Sequence, residues 1–96
     1  MSPSVEEQLR ELIGIVLSLP VEQVPPDARL VDDLGAESID FLDLRFRIEE
    51  AFGFKVTQSD LLNGIGSDGT AADFRRRCTV RALATFLESR LEPARV

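Results

Sequence analysis

Few side chains in this 96-residue chain could do chemistry, because it contains no histidine and one cysteine. Without histidine there is no Ser-His-Asp or Cys-His arrangement, and the common zinc patterns fail as well. Ser38 stands in "LGAESIDFLDL", between an acidic residue and an amphipathic stretch. By position alone it reads as a helix N-cap, a role serine favours. Its hydroxyl is either an ordinary cap or a point where chemistry is attached, and position alone favours the cap. Cys78 follows Arg75, Arg76 and Arg77 and precedes an expected helix. Cations and a helix start can lower a thiol pKa, but a lone cysteine is more often a small buried hydrophobe, and that reading is preferred.

The remaining candidates are weaker. "GIGSDG", Gly64 to Gly69, spells GxGxxG, but no βαβ unit surrounds it, so a flexible loop is expected. Three arginines are too few for a nucleic-acid tract and read as a solvated turn that balances the acidic first half of the chain. Asp32, Asp33, Glu37, Asp40 and Asp43 gather around one helix start, where the macrodipole favours negative charge. No nucleophile–base pair or metal-loop pattern accompanies them, so a partner-facing acidic surface is expected rather than an enzyme.

The elements that must position these groups are helical. Ser4 and Glu7 form a capping-box pattern ahead of Val5, Leu9, Leu12, Ile13 and Val16, and Pro20 marks the end of helix one. A long loop follows, with Pro25-Pro26 inside it and Val21, Val24, Leu30 and Leu34 able to pin it to a core. Helix two is expected from Ser38 to near Phe52, with Gly53 as its C-terminal cap. Phe41, Leu44, Ile48 and Ala51 make its buried stripe, which Leu42, Phe46 and Phe52 widen. Asp40, Asp43, Arg47 and Glu50 lie opposite. Asp43–Arg47 and Arg45–Glu49 are spaced as ion pairs.

Phe54 and Val56 read as a short extended piece. Ser59 or Asp60 is expected to open a brief helix, and Thr70 another through Phe74. Thr79 caps a last helix carrying Val80, Leu83, Leu87 and Leu91, which Pro93 ends. The fold class is therefore all-α: a small three-to-four-helix bundle in a single domain, residues 1–96, with a long loop between helices one and two. With no Trp and no Tyr, most of the six Phe are expected in the core.

Charge narrows the partners. The formal net charge is −6; residues 1–50 carry 4 basic and 12 acidic residues (−8), and residues 51–96 carry 7 and 5 (+2). That disfavours nucleic acid and anionic membrane surfaces. One cysteine fits a reducing compartment, and no apolar run can span a bilayer, so the cytoplasm is the expected location.

"DDLGAESIDFLDLRFRIEEAFGFKV" resembles the acyl carrier protein family. Leu34-Gly35 matches the family's leucine-glycine loop, Ser38 its modified serine, and Glu49-Glu50-Ala51-Phe52 the end of its second helix. "TVRALATFL" from Thr79 resembles the start of its last helix. Two features depart: Glu37 stands where the family usually has Asp, and the segment from Gly53 to Thr79 is longer than in common fatty-acid carriers. The long segment resembles specialised bacterial carriers, including the kind that delivers very long acyl chains to lipid A.

The resemblance implies a carrier, not an enzyme. A holo-carrier synthase, a phosphopantetheinyl transferase, would move 4′-phosphopantetheine from coenzyme A to Ser38, and acyl groups would ride on the arm as thioesters for fatty-acid, lipid or polyketide biosynthesis. Glu37, Asp40, Asp43, Arg47 and Glu50 would dock acyl-transferring and chain-elongating enzymes, and the protein would act as a monomer. Its apolar interior would shelter the chain. The alternatives are an unmodified helical interaction module, with Ser38 a cap only, and a peptidyl or aminoacyl carrier.

Overall fold

A computed structural model describes residues 4–91. Five α-helices follow in order: α1 (Val5–Leu17), α2 (Ser38–Phe52), α3 (Gln58–Gly64), α4 (Ala71–Arg77) and α5 (Val80–Leu91). A 3-10 turn, Val21–Gln23, interrupts the long loop. Among the described residues there is no strand, only an isolated bridge between Arg29 and Thr79. The expected bundle is present as three principal and two short helices.

Each helix start has a local cause. The Ser4 hydroxyl accepts from the Glu7 N–H at 3.1 Å and the Glu7 carboxylate accepts from the Ser4 N–H at 3.0 Å, closing the expected capping box of α1. Thr79 Oγ1 accepts from the Ala82 N–H at 3.0 Å and starts α5. Thr70 caps α4, as its sequence position suggests, but α4 continues past Phe74 to Arg77. The cap of α3 is Thr57, not Ser59 or Asp60; Asp60 instead returns its carboxylate to the Thr57 N–H at 3.1 Å. Gly53 ends α2 at φ 85°, where a side chain would be strained. The expected stop at Pro93 lies outside the described residues.

α1 packs on α2 and α5, and α3 packs on α5. Leu9 and Ile13 of α1 meet Leu44 and Ile48 of α2 and Val80, Leu83 and Leu87 of α5 in one core. The long loop belongs to that core. Val24 and Leu30 are buried, and Arg10 donates to the carbonyls of Val24 (2.7 Å) and Val21 (3.0 Å). Backbone bonds tie the loop to the start of α5: Leu30 N–H to Cys78 C=O at 2.9 Å and Val80 N–H to Ala28 C=O at 3.0 Å. These bonds fix the approach of the chain to α2.

The core is aliphatic, which corrects the expectation for the phenylalanines. Phe86 alone is fully in the core, Phe41, Phe52, Phe54 and Phe74 are half-buried, and Phe46 is exposed. Leucine, isoleucine and valine fill the centre, and the rings line its margins. Ala51 is likewise exposed, not part of the buried stripe.

Candidate functional site

Ser38 is the first residue of α2, and Glu37, in extended backbone (φ −113°, ψ 173°), is its N-cap. The expectation that Ser38 caps the helix is therefore corrected by one residue. The Asp40 carboxylate accepts from the Glu37 N–H at 2.8 Å, and the Glu37 carbonyl accepts from the N–H groups of Asp40 and Phe41 at 2.9 and 3.1 Å. Helix start and loop are thus held without the Ser38 side chain. Its hydroxyl is exposed and makes no hydrogen bond among the described residues. The N–H groups of Ser38 and Ile39 likewise find no protein acceptor there, so the helix N-terminus keeps free donors beside it.

Ser38 also lines a cavity of about 640 Å³ between α2, α3 and α4. Phe41, Leu61, Leu62 and Phe74 give it apolar wall; Arg45, Gln58, Thr70 and Arg75 give it polar points. Phe41 and Phe74 touch edge to face in its wall, with ring centroids 5.4 Å apart. Arg75 reaches across to Asp32 at 2.8 Å and fastens α4 to the loop before α2. None of this was visible in the sequence, because three separate segments build the cavity.

The face of α2 expected to dock partners is partly spent inside the molecule. Asp40 holds the helix start, and Asp43 accepts from Arg47 at 3.1 Å, the expected i,i+4 pair. Glu37 and Glu50 are exposed. The second expected pair does not form: Arg45 and Glu49 make no ion pair with each other, although both line a smaller groove with Lys55, and Arg45 lines the cavity as well. An arginine side chain on a helix leans toward the N-terminus, away from a glutamate one turn later.

Sequence reasoning missed a second face. Ile39, Leu42 and Phe46 are 70%, 48% and 62% exposed, although Leu42 and Phe46 were expected to widen the buried stripe. They recur at i, i+3, i+7 and form an apolar strip beside Ser38. The signal was present: α2 has more apolar residues than one buried face can hold. At about 100° per residue, the strip lies between Ser38 and the face of Asp40, Asp43, Arg47 and Glu50.

The other candidates resolve to structure. Cys78 is 0% exposed and burial pushes its thiol pKa up to about 12, the inert state expected. The three arginines form the last turn of α4, not the expected loop turn: Arg75 pairs with Asp32 of the acidic first half, while Arg76 and Arg77 pair with Asp73 of their own helix. In "GIGSDG", Gly64 ends α3 against the Phe86 ring, and Gly66 and Gly69 turn the loop at φ 76° and 95°. The described residues hold no cluster of His, Cys, Asp or Glu suited to a metal ion, and no helix long and apolar enough to cross a membrane.

Comparison with known proteins bears on this geometry. Residues 7–67 match the family model described as "Phosphopantetheine attachment site". The chain is 42% identical over 57 residues to an acyl carrier protein of Solidesulfovibrio magneticus, covering 59% of this chain and 73% of that protein. It is 40% identical over 57 residues to acyl carrier proteins of Nitratidesulfovibrio vulgaris, covering 59% of this chain and 75% of theirs. The family match ends before α4 and α5.

Proposed function

The chain belongs to the acyl carrier protein family, whose members bear covalent 4′-phosphopantetheine, and from that premise we propose that Ser38 is the attachment residue. The observation that carries this is the state of its hydroxyl: exposed, without a partner among the described residues, and set at the first residue of α2 beside a cavity.

The residues around Ser38 fit the group. Attachment would make Ser38 Oγ the bridging oxygen of a phosphodiester. The free N–H groups of the first turn and the helix dipole favour an anion there. Because Glu37 and Asp40 hold the helix start, modification removes no cap. The bound arm supplies the terminal thiol on which an acyl group travels. The protein's own part is to position Ser38, to present α2 to partner enzymes, and to offer the apolar wall of Phe41, Leu61, Leu62 and Phe74 as shelter.

Docking would use Ile39, Leu42 and Phe46 with Glu37, Asp40, Asp43, Arg47 and Glu50 on their flank. The apolar strip offers desolvated contact, while the charges steer encounter. First among the partners is the holo-carrier synthase, followed by acyl-transferring enzymes of fatty-acid, lipid or polyketide synthesis. The lengthened segment, folded as α3 and α4, supports a specialised lipid role. We take the 96 residues as one carrier domain, acting as a cytoplasmic monomer.

Intact mass before and after incubation with coenzyme A, Mg²⁺ and a holo-carrier synthase tests the reading. One phosphopantetheine increment is expected on the wild type and none on Ser38→Ala. An increment that survives the substitution overturns it.

A further inference from the structure

Arg45 is unlike every other arginine among the described residues. Arg29, Arg47, Arg75, Arg76, Arg77, Arg81 and Arg90 each pair with a carboxylate, and Arg10 donates to backbone carbonyls. Arg45 alone has neither a hydrogen bond nor an ion pair there. An acidic partner is within range in sequence, Glu49 one turn later, and it is not used. Half-buried, Arg45 lines the cavity that Ser38 also lines.

The two residues are set on one side of α2. Seven positions at about 100° each bring Arg45 to within about 20° of Ser38, with a rise of about 10 Å between them. Arginine leans toward the helix N-terminus and has the longest reach of the basic side chains, which closes most of that distance. The second cation lining the cavity, Arg75, is already engaged by Asp32. Arg45 also borders a smaller groove with Glu49 and Lys55, but of the two cations lining the cavity it is the one left without an anionic partner among the described residues, in a chain of net charge −6.

Resting on the reading of Ser38 as the attachment residue, we propose that Arg45 is a binding residue for the phosphodiester of the prosthetic arm. The guanidinium closes on the phosphate oxygens from the cavity side, opposite the free N–H groups of the first turn. It draws the start of the arm toward the cavity that Arg45 and Ser38 both line. Planar guanidinium suits two phosphate oxygens at once, and lysine supplies only a point charge.

The test compares wild type, Arg45→Gln and Arg45→Lys, each as apo and holo protein, with intact mass confirming the arm. The readouts are the ³¹P resonance of the phosphodiester at low and high salt and the change of Tm on modification. The wild-type ³¹P shift should move on raising NaCl to about 0.5 M, where the Debye length falls to a few ångströms. That movement should be lost in Arg45→Gln and partly retained in Arg45→Lys. The gain in Tm on modification should be smaller by about 3 °C in Arg45→Gln, with the apo proteins equal. If the arm is attached and both readouts match in wild type and Arg45→Gln, the role of Arg45 is overturned and Ser38 stands. If no arm attaches to the wild type, the Ser38 reading fails and this proposal fails with it.

Discussion

At the scale of single residues, a shift of one position changes what Ser38 does. Serine and glutamate at adjacent sites both carry oxygens able to face a helix start, and the sequence could not say which takes the cap. The backbone bonds decide it: Glu37 is the N-cap, so the Ser38 hydroxyl stays free. Ser38→Ala should therefore change stability by less than about 0.5 kcal/mol, the range of a surface substitution, and not by the about 1 kcal/mol of a lost cap. Urea unfolding of the apo protein measures this, and a loss near the larger figure would return Ser38 to a capping role. Cys78 is a second residue whose state is set by its surroundings. Burial raises its folded pKa from 9.0 to about 12, so the folded protein holds the thiol proton more tightly than the unfolded chain. That contribution is complete below pH 9.0 and lost as pH rises toward 12. Reaction of native protein with a thiol reagent at pH 8 should be slow and limited by unfolding; rapid labelling would mean an exposed thiol.

At the scale of elements, legibility followed length and periodicity. α1 was readable in full because its cap, apolar repeat and stop agree. α2 was readable in its bounds but not in its faces, since the buried and the exposed apolar strips share one helix. The short helices were misplaced by a residue or more because one or two turns give no period, and Thr57, Ser59 and Asp60 are all plausible starts. What holds α3 in place is a long-range contact, the approach of Gly64 to Phe86. A Cβ at Gly64 would lie 2.2–2.7 Å from atoms of that ring, too close without displacement. Gly64→Ala should thus destabilise by about 1–3 kcal/mol, against the usual gain of alanine over glycine in a helix. Thermal unfolding reads the sign directly, and a stabilised variant would show that the ring yields freely.

At the scale of the whole molecule, the charge imbalance of the sequence is partly spent internally. Asp32 and Asp33 pair with Arg29, Asp32 also takes Arg75, and Asp43 takes Arg47. Four carboxylates are held below their ordinary pKa: Glu7 by the Ser4 N–H, Asp33 by the Arg29 side chain, Asp60 by the Thr57 N–H and Asp73 by the Asp68 N–H. Their folded values lie below the unfolded 3.8 and 4.5, so their contribution is present above about pH 5 and lost as pH falls through the folded values. Tm should be level from about pH 5 to 8 and fall below 4; a Tm flat to pH 2 would contradict it. The same internal pairing bears on docking. With Asp40 holding the helix start and Asp43 tied to Arg47, what α2 leaves uncommitted for contact is the apolar strip of Ile39, Leu42 and Phe46, flanked by the exposed Glu50. Apolar contact at the centre of an interface carries affinity, and rim charge mainly sets the rate of encounter. Phe46→Ser should raise the KM of a holo-carrier synthase for the apo protein about tenfold, with the effect independent of salt. Glu50→Gln should raise it about twofold at low ionic strength and not at all at about 0.5 M NaCl. The reverse ranking would place the docking energy on the acidic face, where the sequence first put it.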